Sequence, residues 1–147
     1  MLFLLVYPMS LNTVTATEAW QPRIIQTLLD HQLANKEFTL NEKQVIKFIL
    51  YEKVVESGLT YSDFDKLVKV AQCESGITHF VSDGKPIQGP DGKDFGVFQI
   101  RIVHKAKAEE LGIDYNQLEG NIDFAIYLYK QSGLKAWSSS SKCWRRL

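Results

Sequence analysis

The sequence predicts a predominantly helical α+β domain with a small hairpin sheet beside one of its helices. Apolar residues recur at helical spacing in successive stretches of the chain. Between two of these stretches, Ser82-Asp83-Gly84 and Pro90-Asp91-Gly92 are turn signals around short polar segments, the pattern of hairpins rather than of another helix. The chain has 147 residues, 45% of them hydrophobic, which is enough to bury one core without help from disulfides or metal. There is no internal repeat, low-complexity tract or inter-domain linker, so the organisation expected is a signal peptide over residues 1–16 and one domain over 17–147.

Leu2-Phe3-Leu4-Leu5-Val6 is apolar but too short to cross a bilayer. It fits the core of a signal peptide, with Val14-Thr15-Ala16 offering small residues for cleavage. No basic residue precedes the run, so either the start is truncated or the signal is atypical. Pro8 and the Ser, Asn and Thr residues after it weigh against a first strand or helix of the domain. Pro22 opens a helix carrying Ile24, Ile25, Leu28 and Leu29, and residues 34–40 read as a connection. Asn41 with Gln44 caps a second helix, whose Val45, Ile46, Phe48, Ile49 and Leu50 are packing residues.

The helix from Tyr61 matters most. Phe64, Leu67 and Ala71 form its apolar stripe, Val68 and Val70 broaden it, and Glu74 falls on the same stripe at the helix end. Ser62 with Asp65 reads as its capping box, and Gly76 is placed to end it in a left-handed conformation. Further on, Ile102 to Leu111 reads as a helix stopped by Gly112, and Leu118, Ile122, Ala125 and Tyr129 mark the buried stripe of another.

A carboxyl on an apolar stripe at the negative end of a helix is disfavoured as an anion on both counts, so its pKa rises. Glycoside chemistry needs such a group, an acid still protonated near neutral pH, and often a second carboxylate across the sugar ring. Asp94 lies twenty positions beyond Glu74 and can supply it, or can simply bond neighbouring amides at a strand turn. Gly96 permits close backbone approach, and the alternation through Val97, Phe98 and Ile100 turns the Gln99 amide back toward the cleft.

Glu74-Ser75-Gly76 followed by Asp94-Phe95-Gly96-Val97-Phe98-Gln99-Ile100 resembles the lysozyme-like superfamily, in particular bacterial lytic transglycosylases and c-type lysozymes. The Glu-Ser-Gly and the later Gly-x-x-Gln-Ile follow the transglycosylase pattern, and Asp94-Phe95-Gly96 matches the Asp-aromatic-Gly of the lysozymes. The resemblance continues through Asn121-Ile122, Gly133 to Trp137 and Cys143-Trp144, covering residues 60–144. It implies a lysozyme-like fold and cleavage of the β-1,4 bond between N-acetylmuramic acid and N-acetylglucosamine in peptidoglycan. Glu74 would be the acid and Asp94 the second catalytic residue, with Ser75, Gln99, Tyr127 and Trp137 binding substrate. A lytic transglycosylase using Glu74 alone is the reading adopted; a lysozyme using Glu74 and Asp94 and a catalytically silent glycan-binding module are the alternatives. Neither catalytic route needs a cofactor.

The other residues narrow the field. Lys plus Arg and Asp plus Glu are 17 each, so nothing points to nucleic acid, and Arg145-Arg146 is too short a run to change that. The expected partner is the peptidoglycan glycan strand, met by a monomer without a stable membrane span, secreted or in the cell envelope. Cys73 and Cys143 form an even pair, which in an exported protein means a disulfide; two buried thiols or a nucleophilic Cys73 are the alternatives. His31, His79 and His104 lie in no cysteine-protease signature, and the Cys and His spacings do not make a zinc site, so no metal is expected. Tyr127, Tyr129, Trp137 and Trp144 are candidate sugar-stacking surfaces. Tyr129 also lies on the core stripe, and Trp137 is either a cleft wall or a lid on the core. Asn121 either bonds the loop carrying Gln99 or contacts sugar, His79 and Asp83 are cleft or solvated loop, and Ser138 to Ser141 read as a polar loop.

Overall fold

A computed structural model of the chain describes residues 41–147. The expected signal segment, the helix from Pro22 and the connection over 34–40 lie outside these residues. The described part is predominantly helical with one small antiparallel sheet.

Helix α1 spans Glu42–Glu56 and begins at the predicted capping box: Asn41 Oδ1 accepts from the Gln44 N–H, and the Gln44 side chain accepts from the Asn41 N–H, each at 3.0 Å. Ile46, Leu50 and Val54, four residues apart, form its buried ridge, while Phe48 stays exposed. Helix α2 spans Tyr61–Ser75. Its capping box is Thr60 with Asp63, two residues before the Ser62–Asp65 pair expected from the sequence. Both pairs have the spacing of the motif; Thr60 wins because it alone has the extended backbone of a cap. Leu67, Val70 and Ala71 are buried, and Gly76, at φ 68, provides the left-handed end.

The strands are β1, Asp94–Phe95, and β2, Ile100–Arg101, paired with Asp94 opposite Arg101 and Phe95 opposite Ile100. The turns at 82–84 and 90–92 are present, but only single bridges join their flanks, Phe80 to Pro86 and Gln88 to Phe95. Pro86 and Pro90 have no N–H to give a ladder, so regular pairing is confined to the next turn along. The expected helix from Ile102 begins as one 3-10 turn, Ile102–His104, and becomes α3 only at Lys105–Glu110.

Helix α4, Leu118–Ser132, buries Asn121, Ile122, Phe124, Ala125 and Ile126. A kinked 3-10 stretch, Gly133–Ser140, follows and leads into α5, Ser141–Trp144. Helices α1, α2 and α4 pack together, and Val97, Phe98, Ile100 and Trp137 complete their shared core. Cys73 and Cys143 are joined in a disulfide, with Cα atoms 5.9 Å apart, so α5 is fastened to the end of α2. No helix among the described residues is long and apolar enough to cross a membrane.

Candidate active site

Three strands of covalent and hydrogen-bonded structure meet at the C-terminal end of α2. The first is the helix itself, which delivers Glu74 half-buried on the face leading down to Ala71 and Leu67. Burial is the main cause that raises the Glu74 pKa above the ordinary glutamate value; the negative charge of Asp94 adds to it, and a hydrogen bond from Ser140 opposes it.

The second is the segment after Trp137. Its Ser140 Oγ lies 2.5 Å from Glu74 Oε1 and 3.1 Å from the Trp137 carbonyl. A hydroxyl has one proton to give and lone pairs to accept with. When Glu74 is ionised Ser140 donates to it; when Glu74 is protonated the carboxyl donates to Ser140, which then donates to Trp137. One residue therefore satisfies the acid in both of its protonation states.

The third is the loop from Asp94 to Gln99. Ser75 Oγ donates to the Val97 carbonyl at 2.9 Å and accepts from the Thr78 N–H at 3.2 Å. Ser75 is thus the strut between α2 and the loop, its hydroxyl occupied by backbone. Asn121 of α4, fully buried, accepts from the Phe98 N–H and donates to the carbonyls of Phe95 and Tyr115, at 2.8 to 2.9 Å. Of its two sequence readings this is the loop-bonding one. His79 is also fully buried, and Glu42 accepts from its backbone N–H at 3.0 Å, so it belongs to neither cleft nor solvated loop.

Gly96 is required by this arrangement. It has φ 73, and a Cβ added there would fall 2.5 Å from both Asn121 Nδ2 and His79 Cε1. Gln99 holds a positive φ of 48 although it is not glycine, an uncommon conformation that costs energy and collects at functional sites. Its side-chain amide donates to the Gly96 carbonyl at 2.8 Å. Gln99 Oε1 and Asp94 Oδ2 both lie against Gly89, 2.9 and 3.3 Å from where a Cβ would stand, so this glycine leaves room for the two side chains to meet.

Asp94 does not stand free. Arg101, opposite it in the ladder, donates from Nη1 to both carboxylate oxygens at 3.1 and 2.9 Å and from Nη2 to Asp91 at 3.0 Å. Trp137 is 4% exposed, its ring packs 5.9 Å from that of Phe98, and its indole N–H donates to the Phe98 carbonyl. Structure thus makes it a lid on the core, with no face open for stacking. Tyr127 is half-buried, 5.4 Å from the Phe124 ring, and none of the described hydrogen bonds joins it to Glu74. Tyr129 donates to Asp63 at 2.7 Å, tying α4 to the start of α2. A cavity of about 320 Å³ opens on the Phe95 side of β1, between Ile102, Ile113 and Tyr115, and Glu74 is not in its wall.

Glu74, Ser75, Asp94 and Gln99 are therefore gathered at one place, with Cys73 and Cys143 fastening its rim, while the Tyr127 ring packs on Phe124 and the Trp137 ring is buried beside Phe98. Ser140 is the residue that the sequence reading passed over. Its signal was present: Cys143 pairs with the residue next to Glu74, and Ser140 is one helical turn before Cys143. No protein-family model, curated protein or solved structure matches the chain.

Proposed function

We propose that this chain is an exported peptidoglycan lytic transglycosylase of lysozyme-like architecture, cleaving the β-1,4 bond between N-acetylmuramic acid and N-acetylglucosamine. The observation that carries the reading is Glu74: a half-buried carboxyl at a helix end, its pKa raised by burial, hydrogen-bonded to a residue that serves both of its protonation states. Glu74 gives its proton to the glycosidic oxygen as the bond to the anomeric carbon breaks. The resulting carboxylate takes the proton of the muramyl 6-hydroxyl, which closes on the same carbon and leaves a 1,6-anhydro sugar. The acid is thereby restored and no water is consumed.

The ion pair of Asp94 with Arg101 supports the single-acid route over the two-carboxylate one. A carboxylate whose oxygens both accept from a guanidinium is a poorer nucleophile and a weaker partner for a cationic carbon. The lysozyme alternative keeps one observation in its favour, that the Asp94 charge is felt at Glu74. Export is supported by the disulfide, which belongs to oxidising compartments.

The test is turbidity of purified cell walls. Wild-type protein is expected to clear them and Glu74→Gln to leave them turbid while still binding them. A wild-type protein that binds walls and never clears them would make this a glycan-binding module instead.

A further inference from the structure

His79 takes part in no step above, yet its side chain holds the loop by a hydrogen bond from the Val97 N–H. Its ring is fully buried. Nδ1 lies 3.1 Å from the Val97 N–H and Nε2 lies 3.0 Å from the Asn116 carbonyl. A backbone N–H only donates and a carbonyl only accepts, so Nδ1 must be bare and Nε2 must carry the proton. The site takes one tautomer of neutral imidazole and has no acceptor for a second proton.

What the ring holds is the loop of the candidate site. Val97 is fixed at both ends, its N–H by His79 and its carbonyl by Ser75, the neighbour of Glu74. The Gly96 carbonyl, one bond away along the chain, receives both the backbone and the side-chain N–H of Gln99, at 3.1 and 2.8 Å. A proton on Nδ1 would set N–H against N–H at Val97 and push on the peptide unit that keeps Gln99 at its positive φ. The charged group facing His79 is Glu42, from the start of α1, whose Oε1 accepts from the His79 and Phe80 N–H groups. The other residues against the ring, Val97, Asn116, Asn121 and Phe80, carry no charge.

We infer that His79 is the positioning residue of this site: its neutral ring holds the Gly96–Gln99 loop in register with Glu74, and its protonation sets the acid limit of activity. The kinetic half rests on the function proposed above, while the structural half does not. Burial lowers the His79 pKa in the fold, with the Asn116 carbonyl and Glu42 opposing. The folded state therefore binds fewer protons than the unfolded one, and the loop is at full strength above the unfolded value of about 6.5. It weakens as pH falls from there through the lowered folded value. Glu74, which must be protonated to act, sets the opposite limb, so the rate profile is a bell with a different residue on each side.

The experiment is a pH titration of the full chain by NMR, following the His79 ring and the Val97 and Gln99 amides, alongside kcat on purified peptidoglycan. All three sets of resonances are expected to move together below about pH 6.5 with the helices still folded, and the acid inflection of kcat to coincide with them. In His79→Asn, whose Oδ1 can stand where Nδ1 stood and does not titrate, that inflection is expected to fall by about one pH unit or more with KM within about twofold. A His79 ring that titrates without moving Val97 and Gln99, or that stays neutral until the whole chain unfolds, overturns the inference, as does an unchanged acid inflection in His79→Asn. Absence of any cleavage at all pH values would count against the proposed function; the resonances would then decide the positioning role by themselves.

Discussion

Replacing Asn121 by Ala should cost this domain a large part of its stability. The side chain is fully enclosed and makes three hydrogen bonds, from the Phe98 N–H and to the Phe95 and Tyr115 carbonyls, at 2.9, 2.9 and 2.8 Å. A net hydrogen bond is worth about 1 kcal/mol, and a buried donor left without a partner costs about 1–3 kcal/mol. With about 1 kcal/mol for each of the two bonds to carbonyls and about 1–3 kcal/mol for the stranded Phe98 N–H, the sum is about 3–5 kcal/mol, against a total of about 5–15 kcal/mol for a typical domain. Urea unfolding followed by tryptophan fluorescence reads it well, because the Trp137 indole bonds the Phe98 carbonyl on the very loop that Asn121 holds. A loss below about 1 kcal/mol would refute the reasoning, since it would mean the loop is held without those bonds. Asn121→Asp sharpens the test. One new carboxyl oxygen can still accept from Phe98, but the other faces two carbonyls and is tolerated best when protonated. The folded state then binds more protons than the unfolded one, so this variant should be closest to wild type in acid and lose stability as pH rises above about 3.9.

The paired change Cys73→Ser with Cys143→Ser should lower stability by about 4 kcal/mol in the chain-entropy model, because the bond closes a loop of 70 residues; calorimetry of oxidised wild type beside the variant measures it. Ser140→Ala removes the hydrogen bond that lowers the Glu74 pKa, so the alkaline limb of the rate profile should move to higher pH, which a kcat series resolves; a shift downward would contradict the assignment. Asp94→Asn should retain a substantial part of the activity and cost under about 1 kcal/mol, since its pair with Arg101 is partly exposed; near-complete loss of turnover would establish the two-carboxylate mechanism.

What could be read from the sequence was what local chemistry decides. Asn41 with Gln44 and the glycine at 76 have their roles written in residue type and spacing, and so does the placement of Glu74 on a partly apolar stripe. Asn121 was legible only as one of two readings, loop anchor or sugar contact, and its buried bonds to Phe98, Phe95 and Tyr115 make it the anchor. Thr60 displaced Ser62 as the cap of α2 because two overlapping motifs differ only in backbone conformation. The ladder moved from the predicted turns to residues 94–101 because prolines on the flanks have no N–H to pair. The facing of Trp137 was not legible, since a tryptophan beside a serine run looks the same over a cleft and over a core, and Ser140 could be placed only by following the disulfide from Cys73 to Cys143. The side that Trp137 faces is set by the kink in its own backbone, which local pattern does not encode. His79 was missed because its partners Val97 and Asn116 are 18 and 37 residues away.

The most direct measurement of the central claim is mass spectrometry of the soluble fragments released from purified peptidoglycan by the wild-type chain and by Glu74→Gln. Wild type should release muropeptides ending in 1,6-anhydro-N-acetylmuramic acid, and the folded Glu74→Gln protein should release none above background. Release of the same fragments by the folded variant at a comparable rate would contradict the account, because the proton would then come from somewhere other than Glu74.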